Sequence, residues 1–470
     1  MTGPIEPQPV ESPRVGRGGG IWGPQYVWVT VGSVALVFLA AIQSLAVTTV
    51  MPVVSADLDG ASLYAVAFAG TLATSVIGMV AVGAWCDRGG VVVPLTSAIA
   101  VFVIGLVVSG LAPTMAVLVA ARLLQGLGTG GAIVALYVVV ARAYPAEVHG
   151  RVFAAFSAAW VVPSLIGPFL AGAVAEYLHW RWVFLGIAIL TVASYLLVVL
   201  RLHGLPLHTD DPATDRVAPR LVLAVAVAAG ALLLSLAGSL GPWAWAAVAA
   251  SVLIIGFASR PLLPPRTLRS GRGLPSVVLM RGLIAGALFG AEIYVPYLLI
   301  DGYGFSPTWA GLGLTAAALA WAAASDVQGR FGDRMGNARI TLIGTALLFS
   351  AVAIAAVTAS AHLPAAVLIV GWTFAGAGMG LMYPRLTVLT LAYSTPQNQG
   401  FNSAALSISD SIGAATTIAA MGLVFTALAG TDAGFPAVFV LAALLSLLAL
   451  IPGLRMGHAH ESAPVHRGAP

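Results

Sequence analysis

Three ionisable side chains lie deep inside long apolar stretches of the sequence: Glu292, Asp410 and Arg122. Charges far from water are costly and usually functional. Burial and a nearby arginine pull a carboxylate's proton affinity in opposite directions. An acid set between them can take up a proton on one side of a barrier and release it on the other. Glu292 carries a further cue in Pro296, four residues on. A proline ring frees the carbonyl at i−4 and kinks the helix there. Gly282, Gly286 and Gly290 precede it as a small-residue stripe, which allows another helix to approach closely. Arg122 is always charged and suits a counter-ion or an anion-binding role. Gln125, three residues later, can hydrogen-bond cargo or a neighbouring helix. Arg281, Asp326, Arg385 and Glu176 lie nearer the ends of their stretches and are expected to snorkel to water or headgroups.

The elements that hold these residues are dictated by composition. Of 470 residues, 59% are apolar and 8% charged, with a mean hydropathy of +0.98. A soluble protein has about 25% charged residues, so a soluble enzyme, a disordered chain or a nucleic-acid binder is excluded. The single cysteine, Cys86, leaves neither an intramolecular disulfide nor a cysteine metal cluster. A bilayer-spanning helix needs about 20 predominantly apolar residues, and such runs recur. The first six are Tyr26–Met51, Leu63–Trp85, Val91–Leu111, Met115–Arg142, Val152–Tyr177 and Trp182–Leu200. Two tighter runs, Leu221–Leu240 and Trp243–Ser259, meet at a Gly241-Pro242 turn. Six more follow: Pro275–Ile300, Pro307–Val327, Arg339–Ser360, Pro364–Tyr393, Gly400–Leu428 and Phe435–Leu454. Runs this long and unalternating are helices, since lipid tolerates only helices and closed barrels. The expected fold is an all-α integral membrane protein with fourteen transmembrane helices: two six-helix bundles in parallel repeat, and two inserted linker helices.

The expected units are a disordered tail over 1–25, a first bundle over 26–202, a loop over 203–220 and the inserted helices over 221–259. A basic loop over 260–274, a second bundle over 275–455 and a tail over 456–470 complete them. All 21 basic residues are arginine. With the N-terminus inside, seventeen fall in cytoplasmic segments and only Arg181 outside, as the positive-inside rule requires. Both termini are therefore expected in the cytoplasm. The N-terminal stretch has no small-residue cleavage site, so no signal cleavage is expected. The linker helices, with almost no polar residues, are expected to be lipid-facing padding.

Two motifs recur in register. Gly83-Ala-Trp-Cys-Asp87-Arg88-Gly-Gly90 returns as Gly329-Arg-Phe-Gly-Asp333-Arg334-Met-Gly336, 246 positions on. Gly126-Leu-Gly128-Thr-Gly130 returns as Gly376-Ala-Gly378-Met-Gly380, 250 positions on. Glu292 stands 249 positions after Gln43, so the two are expected at equivalent places. One six-helix unit used twice is a transporter architecture, with its binding site near the midplane between halves.

On these residues the chain resembles the major facilitator superfamily. The Asp-Arg loop is similar to the family's signature between helices 2 and 3. Arg122-Leu-Leu-Gln125-Gly126 is similar to its helix 4 motif, and Gly167-Pro168-Phe-Leu-Ala171-Gly172 to the helix 5 motif of its antiporters. The six-two-six layout resembles the 14-helix drug:proton antiporter branch. The resemblance implies that Gly83, Asp87, Arg88 and Gly90, with Gly329, Asp333 and Arg334, form latches that break as the inner side opens. A solvated turn, with Gly90 or Gly336 at positive φ, is the plainer alternative. Pro163, Gly167, Pro168 and Gly172 are implied to form a stiff outer seam that resists proton leak. Those antiporters commonly carry an acid near Gln43, so proton coupling is expected to have moved to Glu292, with Asp410 as second titrating group and Arg122 as counter-ion. Gln43, Gln125, Trp160, Tyr294, Trp321 and Trp372 are candidates to line the substrate cavity, as are Tyr297 and Tyr383.

The expected function is proton-coupled efflux of hydrophobic small molecules or drugs by alternating access. Its setting is a bacterial cytoplasmic membrane, and the proton gradient rather than a cofactor supplies the energy. Partners are a small-molecule substrate, protons and the bilayer, without nucleic acid, and the unit is a monomer. The alternatives are an exporter or symporter of a metabolite or lipid and, in a different class, a membrane enzyme using Glu292 and Asp410. No metal is expected: His458, His460 and His466 sit in a polar tail. The glycine-rich run of helix 4 lies within a helix and is no nucleotide loop.

Overall fold

The computed structural model describes residues 20–24, 26–202, 217–394 and 399–457. The expected tails and the 203–220 loop, His458, His460 and His466 among them, lie wholly or largely outside these. Fourteen helices follow the apolar runs. They are α1 (Val27–Asp57), α2 (Tyr64–Cys86), α3 (Val92–Gly110), α4 (Met115–Ala143), α5 (Ala146–Val174), α6 (Arg181–Leu202), α7 (Val217–Leu236) and α8 (Ala244–Ala258). Then come α9 (Leu274–Glu292), α10 (Pro307–Met335), α11 (Asn337–Ala361), α12 (Ala365–Ala392), α13 (Gln399–Ala427) and α14 (Gly434–Leu448). Among the described residues there are no strands. Thirteen spans are long and apolar enough to cross a membrane. One, Ala218–Leu262, is 45 residues long and holds both α7 and α8. It turns back on itself at Gly241, whose φ of 54° a residue with a Cβ adopts only under strain.

The repeat is written into the packing atom by atom. A Cβ on Gly126 would strike the Thr71 carbonyl, one on Gly130 the Ser75 carbonyl, and one on Gly128 the Phe102 backbone. In the second half Gly376 abuts the Ala317 carbonyl, Gly380 the Trp321 carbonyl, and Gly378 the Leu348 nitrogen. Each glycine has moved 250 positions and each partner 246. The backbones of α2, α3 and α4 thus meet as those of α10, α11 and α12 do. In lipid, where no hydrophobic drive pushes helices together, such close approach is what holds them.

The two Asp-Arg segments are less alike than their sequences. Helix α2 stops at Cys86, so Asp87 caps it. Helix α10 runs on to Met335, two turns past the expected end at Val327, and takes Gly329, Asp333 and Arg334 into the helix. The pair between Arg330 and Asp326, 3.0 Å apart at i,i+4, supports the extension. Gly336, at φ 75°, ends it, while Gly90 has no positive φ.

The linker helices divide in role. Helix α8 presents Trp245, Leu253 and Phe257 outward, as padding should. Helix α7 does not: Ala224, Val227, Ala228 and Ala231 are buried, with Leu232 against Gly70 of α2. Gly238, just past its end, meets Leu423 of α13. It wedges between the two halves, so the padding expectation is corrected for α7.

Contacts between the halves gather toward the end remote from the arginine-rich loops. Tyr64 donates to the Ile293 carbonyl at 2.6 Å. Its ring joins Tyr294, Tyr297, Phe425 and Phe435 in one aromatic cluster. Gly422 abuts Ala65, and Gly172 abuts the Pro307 carbonyl. Hydrogen bonds also join the α2–α13 and α5–α10 pairs, Ser75 to Ser411 at 3.3 Å and Thr315 to the Leu165 carbonyl at 3.1 Å.

Candidate functional site

The second half holds a three-residue charged site. Arg281 of α9 donates from Nε to Asp410 Oδ1 of α13 at 2.8 Å. Tyr383 of α12 donates its hydroxyl to the same oxygen, and the Arg281 guanidinium sits 3.2 Å from the Tyr383 ring centroid. The guanidinium also donates to the Tyr383 carbonyl at 3.2 Å. Arg281 therefore meets a carboxylate, a π face and a carbonyl at once. Trp321 of α10 stands edge-on to Tyr383, centroids 5.4 Å apart.

Local sequence explains the assembly. The Gly282, Gly286 and Gly290 stripe packs on α13, against Ser409, Gly413, Thr417 and Met421. This close seam brings Arg281 beside Asp410. Pro384 cannot bond the Gly380 carbonyl, and the Ser325 hydroxyl donates to it at 3.2 Å, fixing the α12 turn that carries Tyr383. The Arg281 side chain is 14% exposed and that of Asp410 25%, so the pair is mostly, but not wholly, buried. Tyr137 of α4 is 43% exposed.

The first half holds a different network. Arg122 donates to Gln125 Oε1 at 2.7 Å and to the Ala67 carbonyl at 3.3 Å. Gln43 Nε2 donates to the same Gln125 oxygen at 2.7 Å. Gln125 Nε2 in turn donates to Ser109 Oγ at 2.6 Å and to the Gly105 carbonyl at 3.1 Å. Gln43, Gln125, Ser109 and Arg122 are all buried. Arg122 donates to neutral oxygens and ties α2 to α4, while Gln125 ties in α1 and α3.

The three expected coupling residues are not brought together. Asp410 pairs with Arg281 rather than Arg122, which corrects both the counter-ion assignment and the expectation that Arg281 snorkels. Glu292 ends α9, and the chain continues through a short helix, Tyr294–Tyr297, and a wide π turn, Leu298–Gly302. The break expected from Pro296 is present. Among the described residues none donates a hydrogen bond to the Glu292 carboxylate. Glu292 lies eleven residues beyond Arg281, hence on the same face and about 16 Å along the helix.

The aromatic candidates separate. Trp160 is 44% exposed and Trp321 belongs to the charged site. Tyr294 and Trp372 are buried completely, as are Gln43 and Gln125, so in this conformation none of these four lines open space. That corrects the cavity expectation for them: their polar atoms and rings are consumed by packing. The other end residues also find partners, Arg385 with Asn337 at 2.8 Å and Glu176 with the Thr308 hydroxyl.

Of the helix 5 motif, Pro168 and Gly172 meet α10 closely, whereas Gly167 has only Leu45 of α1 within reach, at 3.8 Å. Pro163 and Pro168 lie inside α5. Gly172 abuts the Pro307 carbonyl and Thr308, and Gly311 abuts the Pro168 carbonyl. At the first Asp-Arg turn, Asp87 and Arg88 are exposed. Arg142 of α4 donates to the Cys86 and Gly89 carbonyls at 2.8 and 2.7 Å, closing the α2 C-terminus. Sequence reading placed Arg142 only in a loop count. Its position in the last turn of α4, where a cation meets carbonyl ends, was the available signal. The Asp333 side chain lies outside the described residues, and Arg334 and Gly329 are exposed.

The fold is that of an all-α membrane protein built from two matching bundles. The sequence matches the Major Facilitator Superfamily over residues 33–220 and 277–468, and the chain belongs to that family. It is 27% identical over 447 residues to an uncharacterized MFS-type transporter of Mycobacterium tuberculosis, covering 90% of this chain but only 63% of that one. A probable multidrug-efflux transporter of the same organism is 27% identical over 434 residues, covering 88% and 91%. Among solved structures, a POT family transporter in complex with a thioalcohol-conjugated peptide superposes with a TM-score of 0.68 at 16% identity, covering 92% and 96%.

Proposed function

We propose that the protein is a proton-coupled exporter of mostly hydrophobic small molecules. It works as a monomer by alternating access in a bacterial cytoplasmic membrane, with both termini in the cytoplasm. The observation that carries this reading is the Arg281–Asp410–Tyr383 site: a carboxylate held by an arginine inside a membrane bundle, with both side chains partly exposed. Protonating Asp410 removes the charge that holds Arg281 and frees the guanidinium to shift on the Tyr383 ring. Losing the proton restores the clamp. The α9–α12–α13 packing therefore has two arrangements that differ by one proton, which is what coupling a gradient to a conformational change requires.

In this orientation the aromatic cluster and the α5–α10 seam close the external side, and the Asp-Arg segments face the cytoplasm. The conformation described is then the inward-facing one, and the pair exchanges its proton with the cytoplasm. Glu292, on the same face of α9 but further toward the closed side, is the second proton site, reached from outside once that seam opens. Named relatives among multidrug-efflux transporters favour apolar cargo. Everted vesicles test the reading: adding cargo should dissipate an imposed pH gradient. Cargo movement indifferent to the gradient would exclude proton coupling.

A further inference from the structure

The loop between α8 and α9 folds back beside Arg455 and borders an open cavity of about 450 Å³ lined by Arg266, Arg269, Ser270, Gly271, Arg272 and Arg455. Four of these six are arginines, and none is acidic. Among the described residues the guanidinium groups of Arg266, Arg269 and Arg272 make no hydrogen bond or ion pair, and only the backbone of this turn is bonded. Arg455 anchors the wall: its guanidinium donates to the Ser270 carbonyl at 3.3 Å, and its own carbonyl accepts from Gly273 N at 3.1 Å. The Ser276 hydroxyl donates to the Gly271 carbonyl at 2.7 Å. Arg266 and Ser270 both hold positive φ, 68° and 52°, a conformation costly for residues with a side chain. The loop thus spends backbone strain and like-charge repulsion to gather four cations.

The cavity lies between the ends of two membrane spans, Leu262 and Leu274. Beside it, Leu268, Ile451 and Leu454 are exposed apolar side chains. We propose that this cavity binds the phosphate headgroup of an anionic phospholipid. The arginines grip the phosphate, whose geometry suits guanidinium forks, while acyl chains run down the apolar surface of α14 from Leu454 and Ile451. A free phosphate would use the same arginines and gain nothing from those side chains. The site needs only that these spans cross the bilayer; it does not depend on what the protein exports or on proton coupling.

The test uses the full chain, purified in detergent and titrated with phosphatidylglycerol or phosphatidylcholine, bound lipid being counted by native mass spectrometry. Phosphatidylglycerol should bind at least tenfold more tightly. The variant Arg269→Gln/Arg272→Gln, which leaves the Arg455 anchor intact, should lower its affinity about thirtyfold and leave phosphatidylcholine binding unchanged. Millimolar glycerol phosphate should compete poorly. Equal binding of the two lipids, or undiminished selectivity in the variant, overturns the proposal. Glycerol phosphate displacing the lipid at matching concentration overturns the lipid source in favour of a soluble phosphate.

Discussion

The two halves share a packing frame and differ in the chemistry bolted to it. The first buries Arg122 among amides, a hydroxyl and carbonyls. The second sets Arg281 against a partly exposed carboxylate. At the 250-residue offset Arg122 corresponds to Trp372, and Asp410 to Trp160; at 249, Gln43 corresponds to Glu292. Where one copy keeps a polar group, the other places a large ring or an amide. The lesson is a division of labour. A network of neutral partners around a fixed cation has no proton to exchange and pins helices, whereas a carboxylate–guanidinium pair can be opened by one proton.

Removing the titratable group should break the comparison most sharply. Asp410→Asn should lower gradient-driven transport at least a hundredfold in vesicles, with expression retained. Arg281→Gln leaves Asp410 without its cation and should cost about 3 kcal/mol of stability, read by thermal unfolding in detergent. Arg281→Met/Asp410→Leu should recover that stability while transport stays lost. Second in size, Glu292→Gln should slow gradient-driven transport about tenfold, measured in the same vesicles; an unchanged rate would remove Glu292 from the proton path.

The matched glycine seams sharpen the other side of the comparison. Gly126→Ala and Gly376→Ala force a Cβ into the Thr71 and Ala317 carbonyls. Each should cost about 1–3 kcal/mol, nearly equal in the two halves, by thermal unfolding. The smallest effect is expected from Gln43→Leu. It removes one of the two donors to Gln125 Oε1 and should cost about 1 kcal/mol with the ratio of protons to cargo unaltered.

Helix number, repeat and family were legible because each rests on a local signal: apolar length, arginine placement and motifs in register. The α9 stripe of glycines correctly announced a close seam. What could not be read was which helix it met, and so the Arg281–Asp410 pair, 129 positions apart, was invisible. Arg281 looked like an end residue because distance along a helix does not report the depth of the water that reaches it. Trp372 and Tyr294 were mistaken for cavity walls because an aromatic ring suits both a packed core and a binding surface. Helix α7 read as uniform padding since its alanines, small enough to nest between α2 and α13, differ little in polarity from those facing lipid. The extension of α10 was hidden by glycines that usually end helices.

The most direct test of the division of labour is proton movement on addition of cargo to proteoliposomes holding a fixed pH gradient. Parallel samples would contain the unaltered protein, Asp410→Asn and Gln43→Leu. The account predicts flux in the first and third at the same proton-to-cargo ratio and none in the second. Persistent cargo-driven proton flux through Asp410→Asn would contradict it.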